Sequence, residues 1–181
     1  MIINVNKLTD LKSGHSIKAE IAIMNTICYW YDLEPKGVTT GNSPGYDFRI
    51  NNTTIELKIS SKGEKGLIEI AKVDGSPGGL SATKSDLYAF LNPAGNNVGK
   101  LRLIRTLELK QHYSKVTDGF IETETVDDKI GSILAPFNIR NFDDLFIAEC
   151  YCEFTDDGLH YDTHTFQPNN YARSMIHQYI R

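Results

Sequence analysis

The stretch Gly45-Tyr-Asp-Phe-Arg-Ile-Asn-Asn-Thr-Thr-Ile-Glu-Leu-Lys-Ile59 decides the fold. Tyr46 to Ile50 and Thr53 to Ile59 are strand-like runs, and Asn51-Asn52 between them suits a tight turn, so the spacing predicts a β-hairpin. Side chains alternate along a strand, which puts Glu56 and Lys58 on one face and Ile55, Leu57 and Ile59 on the other. The turn folds the first strand back beside the second and brings Asp47 close to Glu56. Two carboxylates and an ammonium then converge. Oxygen-rich pairs of this kind suit hard cations such as Mg²⁺ or Mn²⁺, and a nearby lysine can act on the charge that develops in phosphodiester hydrolysis. The same residues also compose an ordinary solvated hairpin face crossed by ion pairs, and spacing alone does not separate the two readings.

Upstream, Ile17, Ile21, Met24, Cys28 and Tyr31 recur at helical spacing, and Ile23, Ile27 and Trp30 widen the apolar face. Ser13 or Ser16 can cap the start and Pro35 closes the run, so a helix is expected from Ser16 to about Leu33, buried on several sides. Glu20 is the anomaly in it. Its neighbours three and four positions away are Ser16, Ile17, Ile23 and Met24, so its carboxylate falls at the edge of an apolar surface and needs a partner.

Downstream, Gly66 to Val73 reads as a strand, Asp74 to Gly79 as a loop, Ser81 to Asp86 as a short helix, and Leu87 to Leu91 and Leu101 to Arg105 as strands. Leu107 to Lys115 has helical spacing. Phe146 to Phe154 and Leu159 to Phe166 flank the turn Thr155-Asp-Asp-Gly158, and Asn170 to Arg181 reads as a closing helix. The expected fold is α/β: a central mixed β-sheet flanked by helices, with an additional C-terminal β-hairpin and helix. At roughly 150 residues per domain, the 181 residues suggest a single domain, with a core over about 16–115 and an elaboration over about 116–181.

These residues resemble the PD-(D/E)xK nuclease superfamily. The helix with Glu20, then Pro44-Gly-Tyr-Asp47, then Ile55-Glu-Leu-Lys58 follow its order, in which an acidic strand-end residue and an E-x-K pair assemble a divalent-metal site. Leu67-Ile-Glu-Ile70 followed by Pro77-Gly-Gly-Leu-Ser-Ala-Thr-Lys-Ser-Asp-Leu-Tyr-Ala-Phe90 is similar to small phage-type members, with Ser85 in place of the usual Ala. The likeness covers about residues 16 to 91. It implies a restriction-endonuclease-like core and metal-dependent endonuclease activity on DNA, with RNA left open. Asp47 and Glu56 would be the metal ligands, the Leu57 backbone carbonyl a further oxygen donor, and Lys58 the catalytic lysine. Glu20 would join directly or through water. Glu69, on the next strand, either extends the site or is a solvated carboxylate.

Ser81, Thr83 and Lys84 are expected to open a helix after a Gly-rich loop, where backbone N–H groups and a lysine favour a DNA phosphate; N-capping by Ser81 explains that residue equally well. Cys150, Cys152, His160 and His164 form a separate pattern whose donor types suit tetrahedral zinc, although buried strand cysteines are the ordinary reading. Tyr171, His177, Tyr179 and Arg181 near the C-terminus can stack on bases or pack onto the core.

Net charge is −4, but its distribution matters more. Residues 1–117 hold 15 Lys/Arg against 11 Asp/Glu (+4), 118–162 hold 2 against 12 (−10), and 163–181 hold 2 against none (+2). A phosphate-binding face can therefore still form on the first two thirds. The composition, 40% hydrophobic and 23% charged, excludes collagenous, disordered and coiled-coil chains. No apolar run approaches a membrane span and Met1 to Lys12 lacks a secretory pattern, so a soluble protein is expected. Three cysteines fit a reducing cytoplasm, that of a host if a phage encodes the chain. Two other functions fit the same residues: a catalytically inactive nucleic-acid-binding protein on this fold, or an acidic, zinc-stabilised protein-interaction module built on 118–162. A homodimer is left open.

Overall fold

The computed structural model describes residues 16–38, 45–60, 63–95, 98–116, 118–126, 129–155, 158–161 and 178–180. The first helix, α1 (Ser16–Tyr31), buries Ile23, Met24, Ile27, Cys28 and Tyr31, the residues its periodicity places on one side, together with Thr26. Tyr29 is exposed, so this end of α1 is wide-faced rather than enclosed. The helix stops before Pro35: Asp32 adopts a positive φ of 52°, and Leu33 N–H returns to the Cys28 carbonyl at 3.0 Å.

The strands are β1 (Pro35–Val38), β2 (Phe48–Ile50), β3 (Thr53–Ile59), β4 (Lys65–Lys72), β5 (Leu87–Gly95), β6 (Val98–Arg105), β7 (Ile121–Glu122), β8 (Ser132–Asn138), β9 (Phe146–Thr155) and β10 (Gly158–Tyr161). Two more helices, α2 (Gly79–Ala82) and α3 (Thr106–Tyr113), and a 3-10 turn at Ile139–Leu145 complete the described elements. Seven strands form a mixed sheet in the order β1-β2-β3-β5-β6-β9-β10; β3 and β5 run parallel and the other neighbours antiparallel. The protein is thus α/β with a central mixed sheet, and β9 and β10 supply the C-terminal hairpin. Of the expected closing helix, Gln178 and Tyr179 are helical and Ile180 is buried in the main core without helical structure; the remainder lies outside the described residues.

Period-2 alternation sorts the sheet into two faces. Ile55, Leu87, Ala89, Leu91, Leu101, Leu103 and Cys150 face α1 and make the main core with it. Tyr31 pins the two layers: its hydroxyl donates to the Glu149 carbonyl at 2.8 Å and accepts from the Glu149 N–H at 3.0 Å. Tyr88, Phe90 and Ile104 take the opposite face and pack with Ile68, Ala135 and Phe137, with Leu109 and Tyr113 of α3, and with Phe142. Strand β5 is buried on both faces, hence its unbroken apolar run.

Two features depart from the sequence reading. Strand β4 does not join the central sheet; it pairs with β8, and β8 with β7, in a second three-stranded sheet that covers the Tyr88–Phe90 face. It lies within the long crossover that parallel β3 and β5 require. Strand β1 has no strand signal in the sequence, because only pairing with β2 organises a segment with no alternation of its own. No helix among the described residues is long and apolar enough to cross a membrane.

Candidate active site

The predicted hairpin forms with Asn51 at a positive φ of 51° and Phe48 opposite Ile55. Its ladder then ends in a substitution. Asp47 N–H still bonds the Ile55 carbonyl at 2.9 Å, but the next N–H on β3, that of Leu57, is taken by the Asp47 carboxylate, Oδ2, at 2.7 Å. The side chain completes the ladder where the backbone of β2 turns away, and this fixes the carboxyl group against β3. Since the N–H and C=O of one strand residue point to the same side, the Leu57 carbonyl faces the same edge.

Gly45 sets this turn. Its φ is +111°, and a Cβ there would lie 2.8 Å from Lys84 N. The Gly45 carbonyl accepts Lys84 N–H at 3.0 Å and the Thr83 hydroxyl at 2.9 Å. Thr83 is buried, and its Oγ1 also lies 3.3 Å from Glu56 Oε2. The segment after α2 is thereby locked to both carboxylate-bearing strands.

Glu20, Asp47 and Glu56 come from α1, the approach to β2, and β3. Their fields overlap. Glu20 is pushed up to about 7, first by loss of solvent and then by the charges of Asp47 and Glu56. Glu56 is likewise pushed up to about 7, by burial and then by Asp47, against smaller opposing effects of the Thr83 hydroxyl and Lys58. Burial also raises Asp47, against the opposing pull of the Leu57 N–H and the Lys58 ammonium. Lys58 is exposed on the face it shares with Glu56 and lines a recess of about 310 Å³ with Ser60, Phe90 and Phe137. Among the described residues, no three His, Cys, Asp or Glu side chains close into a group that could hold a metal ion as they stand.

The other expected site residues fall elsewhere. Glu69 belongs to the second sheet and pairs with Lys72 at 2.7 Å. Ser81 is not the cap expected of it: Gly78 holds that place, and Ser81, inside the helix, turns back on it, its Oγ donating to the Gly78 carbonyl at 2.9 Å and accepting Gly78 N–H at 3.0 Å. Helix α2 is a single turn, and Thr83 and Lys84 follow its end rather than opening it, so the expected helix-start phosphate site is corrected. Cys150 is buried in the main core opposite Leu101. The side chains of Cys152 and His160, and all of His164, lie outside the described residues.

Sequence reasoning missed Tyr88, and it singled out Thr83 for a phosphate rather than as a neighbour of Glu56. Tyr88 stands opposite Glu56 in the parallel pairing, and burial together with the charges of Glu56, Asp47 and Glu69 holds its phenol far above the ordinary tyrosine range. Thr83 reaches Glu56 only because two segments 27 residues apart meet. The strand register of β3 against β5 is the signal for the first; no local pattern carries the second. Compared with protein-family models, curated proteins and solved structures, the chain finds no match.

Proposed function

We propose that the protein is a divalent-metal-dependent nuclease that hydrolyses phosphodiester bonds in DNA, and that Glu20, Asp47, Glu56 and Lys58 are its working groups. The observation that carries this reading is electrostatic. Three carboxylates from three elements sit within one another's fields, with Glu20 and Glu56 both raised to about 7. Such mutual repulsion is relieved by a proton or a hard cation, and the all-oxygen donor set fits Mg²⁺ or Mn²⁺. Asp47, Glu56 and Glu20 would hold the ion, with the Leu57 carbonyl as a further donor, after side-chain closure. When bound, the ion supplies a Lewis acid for the phosphodiester and a means of activating water.

The protein's own residues do the rest. The Leu57 N–H and the Thr83 hydroxyl orient the two strand carboxylates. Lys58 offers a positive charge on Glu56's face, where it stabilises the additional negative charge of the transition state. The test is incubation with single-stranded, double-stranded and branched DNA and with RNA, each in Mg²⁺, Mn²⁺ or EDTA. Cleavage that needs metal and is abolished by Asp47→Asn is expected; full activity in that variant would sink the assignment.

A further inference from the structure

Beside the carboxylates lies an open cleft of about 430 Å³ that the proposed hydrolysis does not use. Residues 83–87 form one wall, the first turn of α3 another, and Tyr179 closes the end. Its volume suits a nucleotide-sized ligand. Three cations, Lys84, Arg105 and Lys110, border it in a chain whose net charge is −4. The acidic residue of the lining, Asp86, is already engaged: its Oδ2 accepts Thr54 N–H and the Thr54 hydroxyl, each at 2.8 Å.

The cations differ in what they offer. Lys84 is exposed and makes no ion pair among the described residues. Lys110 Nζ donates to the Thr83 carbonyl at 2.8 Å, which uses one of its three donors. Arg105 pairs with Glu108 and lies over the Tyr179 ring, its guanidinium carbon 5.6 Å from the ring centre. This gives a flat, polarised surface beside two lysines. The cleft also communicates with the carboxylates through one residue, since Lys110 holds the Thr83 carbonyl while Thr83 Oγ1 lies 3.3 Å from Glu56.

We propose that this cleft binds one nucleotide of a single-stranded nucleic acid next to the phosphodiester presented to the carboxylates: Lys84 and Lys110 hold its phosphate and the Arg105–Tyr179 surface stacks on its base. The identity of the strand rests on the nuclease reading; the cleft's chemistry, a phosphate joined to a flat ring, stands on its own residues. Phosphate contacts position a strand, and stacking requires a base free of its duplex partner, so the cleft prefers single strands and frayed ends.

The test is binding of a short fluorescein-labelled single-stranded deoxyoligonucleotide in EDTA across a salt series. Each lost phosphate contact lowers the slope of log K against log salt by about 0.7 for a single strand, so Lys84→Gln/Lys110→Gln, which releases the one phosphate the two lysines share, should lower it by about 0.7 and weaken binding ~10-fold or more. Lys84→Gln alone alters only an exposed side chain and should weaken binding several-fold and lower the slope by a part of that ~0.7, which covers the case in which the double variant fails to fold. Unchanged affinity and slope in both variants overturn the inference. Tighter binding of a duplex of the same sequence, or occupation by deoxyadenosine monophosphate without any binding of the oligonucleotide, also overturns it. Metal-dependent hydrolysis of bis(p-nitrophenyl) phosphate by the unaltered protein reads the carboxylates separately. If that hydrolysis is absent while oligonucleotide binding depends on Lys84 and Lys110, the cleft stands and the nuclease reading falls.

Discussion

Replacing Glu20 by glutamine tests the carboxylate cluster by the sign of a stability change. An ordinary glutamic acid in the unfolded chain titrates near 4.5, and in the folded protein Glu20 is raised to about 7 by burial, Asp47 and Glu56. Below pH 4.5 the group is protonated in both states and adds nothing. Between 4.5 and about 7 the folded state binds more protons than the unfolded one, so stability falls as pH rises; above 7 the full penalty is present. At about 1.36 kcal/mol per pH unit the ceiling is about 3 kcal/mol, which solvent screening of a partly exposed carboxylate reduces to about 1 kcal/mol. Glu20→Gln should therefore be more stable than the unaltered protein at pH 8 by about 1 kcal/mol, a rise in Tm of roughly 2–4 °C, and indistinguishable from it at pH 4.5. Thermal unfolding followed by circular dichroism in EDTA at the two pH values measures this directly. Repeating the pH 8 scans with Mg²⁺ should reverse the order, because the variant loses an ion ligand. Lower stability of the variant at both pH values would refute the reasoning and mark Glu20 as an ion-pair partner.

Lys58→Met should reduce the single-turnover cleavage rate by at least ~10²-fold while DNA affinity measured in Ca²⁺ changes only a few-fold; collapse of affinity with a normal rate at saturation would make Lys58 a phosphate clamp. Gly45→Ala places a Cβ 2.8 Å from Lys84 N at a φ of +111°, so it should cost about 1–3 kcal/mol in urea denaturation and misplace Asp47, lowering activity more than Tm alone explains. Arg102 is buried and pairs with Glu149 and Glu64 at 3.0 and 3.4 Å, but Glu149 keeps Lys100 and Glu64 keeps Arg140, so Arg102→Ala should destabilise by only about 1 kcal/mol, through lost packing and the weakened pairs. An unchanged denaturation midpoint would show those pairs to be without net effect.

The hairpin and α1 were legible because their signals are local: an Asn-Asn turn between alternating strands, and apolar residues at three- and four-residue spacing. Asp47, Glu56 and Lys58 were legible for the same reason, since the turn fixes the register that relates them. Strand β1 was not, as Pro35-Lys-Gly-Val38 has no period and becomes a strand only by pairing with β2. The departure of β4 into a second sheet is equally non-local, decided by its pairing with β8 about 70 residues on in the chain. The cleft depends on Lys84, Arg105, Lys110 and Tyr179 meeting from separate elements, and no spacing in the sequence encodes that.

The way this chain treats its other acidic groups makes the cluster informative. Glu69 pairs with Lys72, Glu108 with Arg105, and Glu149 with both Lys100 and Arg102. Glu64 sits between Arg140 and Arg102, and their hydrogen bonds and charge hold it below the usual carboxylate range. Even the buried Arg102 is met by carboxylates, so the fold compensates charge where it is removed from water. Glu20 and Glu56 make no ion pair among the described residues, and both are raised to about 7. Neutralising either with glutamine would relieve repulsion at no cost in volume, yet the sequence keeps the charge. Retained destabilisation of this kind is what supports the proposed metal site. A proton and a divalent cation are then alternative occupants of the same field, so metal affinity should weaken as pH falls through about 7.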